Sequence, residues 1–241
     1  MRLLDVSFEE PAKNLALDEV LLDRAEQGLG GDALRLWESS VPFVVVGTAQ
    51  KLEREVMARA CREDSVPTMR RCTAGGCVLQ GPGCLNFSLV LTLAAHPEVR
   101  GLHPSYAYLL GRLAEVLGER GLDVRQQGIC DLALNGKKVS GNAQRRRRNA
   151  ILHHGTLLYR PDYEAMERYL AEPEQRPAYR GPRRHRDFVG ALPLGPGELR
   201  QVACAAFFAT ESSETMTPEE RQAVTVLAQE KYRSRAWTLR R

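Results

Sequence analysis

The residues best suited to chemistry lie between Asp131 and Tyr159, DLALNGKKVSGNAQRRRRNAILHHGTLLY. Asn135-Gly136 between two apolar segments is a hairpin signal, because a type I′ turn requires positive φ at both central residues. Lys137 and Lys138 then open the returning strand. Neighbouring strand residues face opposite ways, so only one of the two ammonium groups can enter a pocket. Ser140, Gly141 and Asn142 add a hydroxyl, a permissive backbone and an amide, a mixture suited to an anionic, oxygen-rich ligand. Upstream, CTAGGCVLQGPG follows directly on Arg71. Ala74, Gly75 and Gly76 allow a backbone to approach a ligand closely and to present N–H groups to phosphate oxygens. Arg71 at the lip can add a charge-assisted, bidentate contact. The run lacks the GK[ST] of a Walker loop and the GxGxxG spacing.

These two stretches must be held by a framework. Residues 34–37 (LRLW) and 43–47 (FVVVG) read as buried strands, 67–71 as a short strand ending in two arginines, and 84–91 (CLNFSLVL) as the strand that follows the glycine run. Asn14 reads as the N-cap of a helix over LALDEVLLDRAEQG, with Gly28 just past its end. Residues 51–62 are helix-forming, and Ser105 opens a helix that runs through Glu119. DVRQQ leads into the hairpin, 151–159 forms a further strand, and 162–170 a short amphipathic helix. Residues 172–198, rich in Pro, Gly and Arg, read as an extended surface segment. Thr217-Pro218-Glu219-Glu220 is a capping box with proline at the first helical position, starting a helix to about Arg233.

The chain has 241 residues, 43% hydrophobic and 27% charged, with a net charge of +4. That composition fits one α/β (α+β) domain over 1–241, a mixed sheet with flanking helices. The basic excess clusters in Arg145–Arg148 and in residues 182–186, which suits a phosphate ligand or an acidic protein better than nucleic acid. No apolar run reaches a membrane-spanning length and the N-terminus is no secretion signal, so a cytoplasmic protein is expected. The six cysteines show no CxxC and are expected as free thiols. A zinc site from Cys72, Cys77 and Cys84 is disfavoured by their spacing.

RRCTAGGCVLQGPGCLNFSLVL resembles the RRxSGGGAVxxDxGNxNxS signature of the lipoate–protein ligase A family, within the biotin/lipoate protein ligase catalytic-domain superfamily. GKKVSGNAQ followed by HHGTLL resembles that family's lysine motif and downstream strand, and NLALDEVLL fits near the start. The resemblance is co-linear over residues 14–160. It implies ATP-dependent activation of lipoate or octanoate to an acyl-adenylate, then transfer to one lysine of a lipoyl carrier domain. On that resemblance Lys138 is the essential lysine, bridging the acyl carbonyl and the α-phosphate. Arg71 with Gly75, Gly76, Cys77, Val78 and Leu79 holds the nucleotide. Asn86, Ser140, Gly141, Asn142, His154, Gly155 and Thr156 complete the acyl-adenylate site. Asp131 is a magnesium ligand or purine contact, and apolar residues of 87–91 and 151–158 wall the acyl tail. Two departures stand out. Thr73-Ala74 replaces Ser-Gly, and Gln80-Gly81 stands where the family carries histidine and aspartate. The length leaves no room for the accessory domain of long members, so a separate accessory subunit is an open expectation.

Three rivals remain at this level. The fold also hosts biotin ligases and octanoyltransferases, the latter working through a cysteine thioester without ATP. Cys130, eight positions before Lys138, is the candidate nucleophile. A non-catalytic acyl-binding subunit is opposed by retention of Lys138 beside SGN. His153 and His154 point apart on a strand and read as supporting residues rather than a shared metal site. Arg145–Arg148 reads as a solvated loop, or as a surface for an acidic carrier domain.

Overall fold

The computed structural model describes every residue except Gln175, Thr210, Glu211 and Arg241; Gln175 of the 172–198 stretch therefore lies outside the described residues. The chain opens with β1 (Arg2–Asp5), α1 (Pro11–Glu26), β2 (Ala33–Trp37) and β3 (Phe43–Val46), followed by two short helical turns, α2 (Leu52–Glu55) and α3 (Ala58–Glu63). Next come β4 (Thr68–Arg70), β5 (Val78–Gln80), β6 (Cys84–Thr92) and α4 (Leu102–Gly118). Strands β7 (Val124–Gln127), β8 (Asp131–Leu134), β9 (Lys137–Arg146) and β10 (Ala150–Leu158) complete the sheets. The α-helices that follow among the described residues are α5 (Tyr163–Tyr169), α6 (His185–Phe188), α7 (Pro196–Phe207), α8 (Pro218–Leu227) and α9 (Arg235–Leu239).

The architecture is mixed α/β. A seven-stranded sheet has the order β1-β2-β6-β10-β9-β8-β7, with β1 and β2 parallel and the other neighbours antiparallel. A smaller sheet, β4-β3-β5, carries the glycine loop between its outer strands. One face of the large sheet packs Leu85, Phe87 and Ile151 against α4 and α7. The other packs Val90 and Leu152 against α1, α8 and Tyr232. Burial on both faces explains why β6 and β10 read as near-continuous apolar runs.

The Asn135-Gly136 turn forms as expected, with φ of 51° and 72°. The TPEE capping box also forms, Thr217 accepting from the Glu220 amide and Glu220 from the Thr217 amide. Four expectations need correction. Asn14 is not a cap: α1 begins at Pro11, and the buried Asn14 amide instead pairs both backbone groups of Phe8. Residues 51–62 do not form one helix, because Val56 is extended and bridges Leu170. Ser105 lies inside α4, where its hydroxyl bonds Leu102 O and Gln144. The 172–198 stretch is only partly extended: it includes α6 and the proline start of α7. No described helix is long and apolar enough to cross a membrane.

Candidate active site

The two stretches singled out by their chemistry meet at one cavity of about 110 Å³, between the glycine loop, β6, β9 and β10. Lys138 points into it and Lys137 to solvent, as strand alternation requires. The Lys138 Nζ lies 2.8 Å from Asp131 Oδ1, whose Oδ2 accepts the Tyr179 hydroxyl at 2.8 Å. A Cβ at Gly141 would come within 2.7 Å of Lys138 Cε and Nζ, so the ammonium crosses its own strand only because Gly141 has no side chain. Asn142 clamps the neighbouring turn: its backbone and side-chain N–H groups both donate to Cys130 O at 2.9 Å. Gly155 leaves room for that amide, since a Cβ there would meet Asn142 Oδ1 at 1.9 Å.

Across the cavity Arg71 is 7% exposed and has no ion-paired carboxylate among the described residues. Its Nη2 donates to Ala74 O and Gly76 O, and its Nε to Thr73 Oγ1. Its Nη1 keeps only a long 3.5 Å contact with Val45 O. A buried cation that lacks a counter-ion but has a spare donor is costly unless an anion completes it. Burial lowers the Arg71 pKa, but a guanidinium stays protonated. Behind it, Asp18 of α1 is fully enclosed. Its Oδ1 takes Arg35 Nη1 at 2.7 Å, and its Oδ2 takes Ser88 Oγ at 2.8 Å and His154 Nδ1 at 3.0 Å. Burial opposes its ionisation, but the His154 and Arg35 contacts prevail and hold its pKa below the usual value.

Most expected residues converge. Arg71, Gly76, Cys77, Val78, Asn86, Asp131, Lys138, Gly141, Asn142, His154, Gly155 and Thr156 line the cavity. Three do not. Gly75 is in the loop but outside the lining, Leu79 alternates to the far side of β5, and Ser140 is buried, accepting from the Asn142 amide. Phe87 supplies the expected apolar wall from β6, while β10 contributes only His154, Gly155 and Thr156. Leu15, Trp37, Val45 and Ala143 complete the apolar lining, and Gln80 pairs with Asn86 at 2.9 Å on the floor. Sequence reading missed Asp18, although an acidic residue within the apolar run Leu15–Leu22 was the available signal.

His153 and His154 do point apart. His153 is buried against Phe87 and Tyr106, and burial drives its pKa down to about 3. The Cys130 thiol lines the cavity, but burial and Asp131 push its pKa up, against a smaller opposing effect from Lys138. Burial holds Cys77 and Cys84 up at about 12. Three members of the Arg145–Arg148 run are engaged within the fold rather than solvated. Arg145 pairs with Glu19, Arg146 bonds Val99 O, and Arg147 pairs with Asp23. Only Arg148 of the four is exposed. Among the described residues no three His, Cys, Asp or Glu side chains converge on a metal-sized centre. Asp131 is the one cavity carboxylate near Lys138, which fits a magnesium ion carried mainly by nucleotide phosphates.

The model of the lipoyl protein ligase A/B catalytic domain matches residues 10–202. The chain belongs to that family. The family thus combines lipoate- and octanoate-handling ligases and transferases. The chain is 26% identical to the octanoyltransferase LipM of Geobacillus kaustophilus over 277 residues, spanning 100% of this chain and 98% of that protein. Its fold matches a bipartite lipoate protein ligase from Thermoplasma acidophilum, solved in a study that included its E2 lipoyl domain. The TM-score is 0.85 at 24% identity, covering 100% of this chain and 97% of that one. It also matches a lipoate-protein ligase A bound with ATP, with a TM-score of 0.83 at 22% identity, covering 99% and 98%. At those identities the structural likeness is one of fold.

Proposed function

We propose that the chain is a lipoate–protein ligase: it activates lipoate or octanoate with ATP and passes the acyl group to a lysine of a lipoyl carrier domain. The observation that carries this reading is the pairing of two cations at one cavity, Lys138 and the carboxylate-free Arg71, beside a loop of small residues. A fatty acid alone needs one such partner; a carboxylate meeting a phosphate needs more. In the first step a carboxylate oxygen attacks the α-phosphorus, the bond to the bridging oxygen breaks and pyrophosphate leaves. Negative charge builds on the oxygens around that phosphorus, where a fixed ammonium and preorganised N–H donors stabilise it. Lys138 serves there as a donor; Asp131 hands the ammonium over as the anionic ligand takes its place. Magnesium, held by Asp131 with the nucleotide phosphates, would neutralise phosphate charge. In the second step the neutral amine of the carrier lysine attacks the acyl carbon and AMP departs.

Octanoyl transfer is the second reading, favoured by the name of the LipM relative and by Cys130 in the same cavity. The raised Cys130 pKa works against it, since the thiolate is the nucleophile. Intact-mass measurement of a carrier domain separates the two. The ligase reading expects one acyl amide to appear with ATP, magnesium and free acid, with pyrophosphate released, and equally so in Cys130→Ser. Acylation from octanoyl–acyl carrier protein alone, abolished in Cys130→Ser, would replace it with the transferase.

A further inference from the structure

The loop that presents Arg71 is wired to helix α1 through a chain of buried hydrogen bonds that runs from Asp18 through His154 and Thr73. Asp18, 2% exposed, is an acceptor on both oxygens. His154 Nδ1 therefore donates to Asp18 Oδ2, and in a neutral imidazole that makes Nε2 the acceptor. Thr73 Oγ1, fully buried, lies 2.8 Å from that Nε2 and gives it the hydroxyl proton. With its proton committed, Thr73 Oγ1 can accept Arg71 Nε at 2.9 Å, the shorter arm of a bond that Nε shares with Ala74 O at 3.2 Å. Fixing Nε together with Nη2 fixes the plane of the guanidinium, so Nη1 is the end left facing its weak 3.5 Å partner.

We propose that Asp18, His154 and Thr73 form a relay that positions the Arg71 guanidinium toward the anionic ligand, with Thr73 the link that sets its orientation. The inference deepens the ligase reading and rests on it for the nature of the ligand. None of the three residues need touch a reacting atom; each acts through Arg71. The neighbouring His153 provides an internal control. Its Nδ1 faces the Gln144 amide Nε2 at 3.0 Å, which makes it the opposite tautomer, with the proton on Nε2.

Thr73→Val removes the hydroxyl at nearly constant volume, whereas Thr73→Ser keeps it. With ATP, magnesium, octanoate and a carrier domain, Thr73→Val should raise KM for ATP or for octanoate about tenfold, the worth of one charge-assisted hydrogen bond. The kcat per active site should stay within about threefold, and Thr73→Ser should restore wild-type KM within about twofold. Unchanged KM values in Thr73→Val, or a loss of active enzyme with no change in KM, would overturn the relay while leaving the ligase reading intact. If wild type itself acylates no carrier, the ligase reading fails instead. Side-chain ¹⁵N spectra of the wild-type protein decide the matter without any ligand, and also if Thr73→Val does not fold. Proton on Nδ1 of His154 and on Nε2 of His153 is the expected pattern; a proton on Nε2 of His154, in the other tautomer or in an imidazolium, would end the proposal.

Discussion

At the scale of single residues, the site depends on where one ammonium group can go. Lys138→Ala should lower carrier acylation by about 10³-fold, the range seen when one fixed donor to a developing anion is lost. The melting temperature should also fall by a few degrees, because the enclosed Asp131 carboxylate loses its ion-pair partner. Gly141→Ala tests the same point from the backbone. Its Cβ would contact Lys138 Cε and Nζ, the flexible end of the chain, so the ammonium moves and the strand does not. Activity should fall at least tenfold with a stability change under about 1 kcal/mol, read by acylation rates beside thermal melts. An unchanged rate would show that the crossing over Gly141 is incidental.

Among elements, the glycine loop is clamped from two sides. Gly47 accepts it from below, where any Cβ would stand 2.1 Å from Gly75 O. The C-terminal helix α9 secures the strand that leads into it. Trp237 Nε1 donates to Arg70 O at 2.7 Å, while Arg70 Nε returns a bond to Thr238 O at 3.0 Å. Arg70 Nη1 also reaches Gly47 O and Gln50 O. Trp237→Ala removes a hydrogen bond and half-buried aromatic surface, a loss of about 2 kcal/mol. For a chain of this size the melting temperature should fall by roughly 4–8 °C. The extra test is proteolysis, which should speed up near residues 47–50 and 72–77 if the clamp extends to the loop. How far these elements could be read from sequence followed the range of their determinants. The Asn135-Gly136 turn and the TPEE cap are set within four residues and came out correctly. Asn14 has the composition of a cap, but Pro11 starts the helix and the amide serves Phe8. Helix α7 went unread because its proline and glycine start looks like loop, and its apolar face is defined by α4.

For the molecule as a whole, two histidines give stability opposite pH dependences. His153 is buried neutral, with its pKa lowered from 6.5 to about 3. The unfolded chain binds that proton first, so stability is complete above about pH 6.5 and declines as pH falls toward 3. At pH 4.5 the loss relative to pH 7 should be about 2–3 kcal/mol, and His153→Gln should flatten that acid limb in urea titrations. His96 behaves in reverse. Burial lowers its pKa, but Asp32 and Glu98 outweigh that and raise it above 6.5. Its contribution is whole below pH 6.5 and disappears as pH rises through the folded value, so His96→Gln should remove an alkaline decline. An acid limb unchanged in His153→Gln would refute the first assignment.

Residue type and spacing alone determined the hairpin, the rule that only one of Lys137 and Lys138 can face a pocket, and the glycine run, while the order of the motifs pointed to the family and, through it, to Lys138. Each of these is a local matter of φ, strand alternation or motif order. Only the tertiary structure decided that Asp18 reaches the site from the first helix, that Arg71 has no counter-ion among the described residues, and that three of the four arginines in the run are spent on internal contacts. Those facts depend on which groups meet across long stretches of chain. No local preference encodes that; burial makes it matter, because an enclosed charge must find its partner wherever the fold places one.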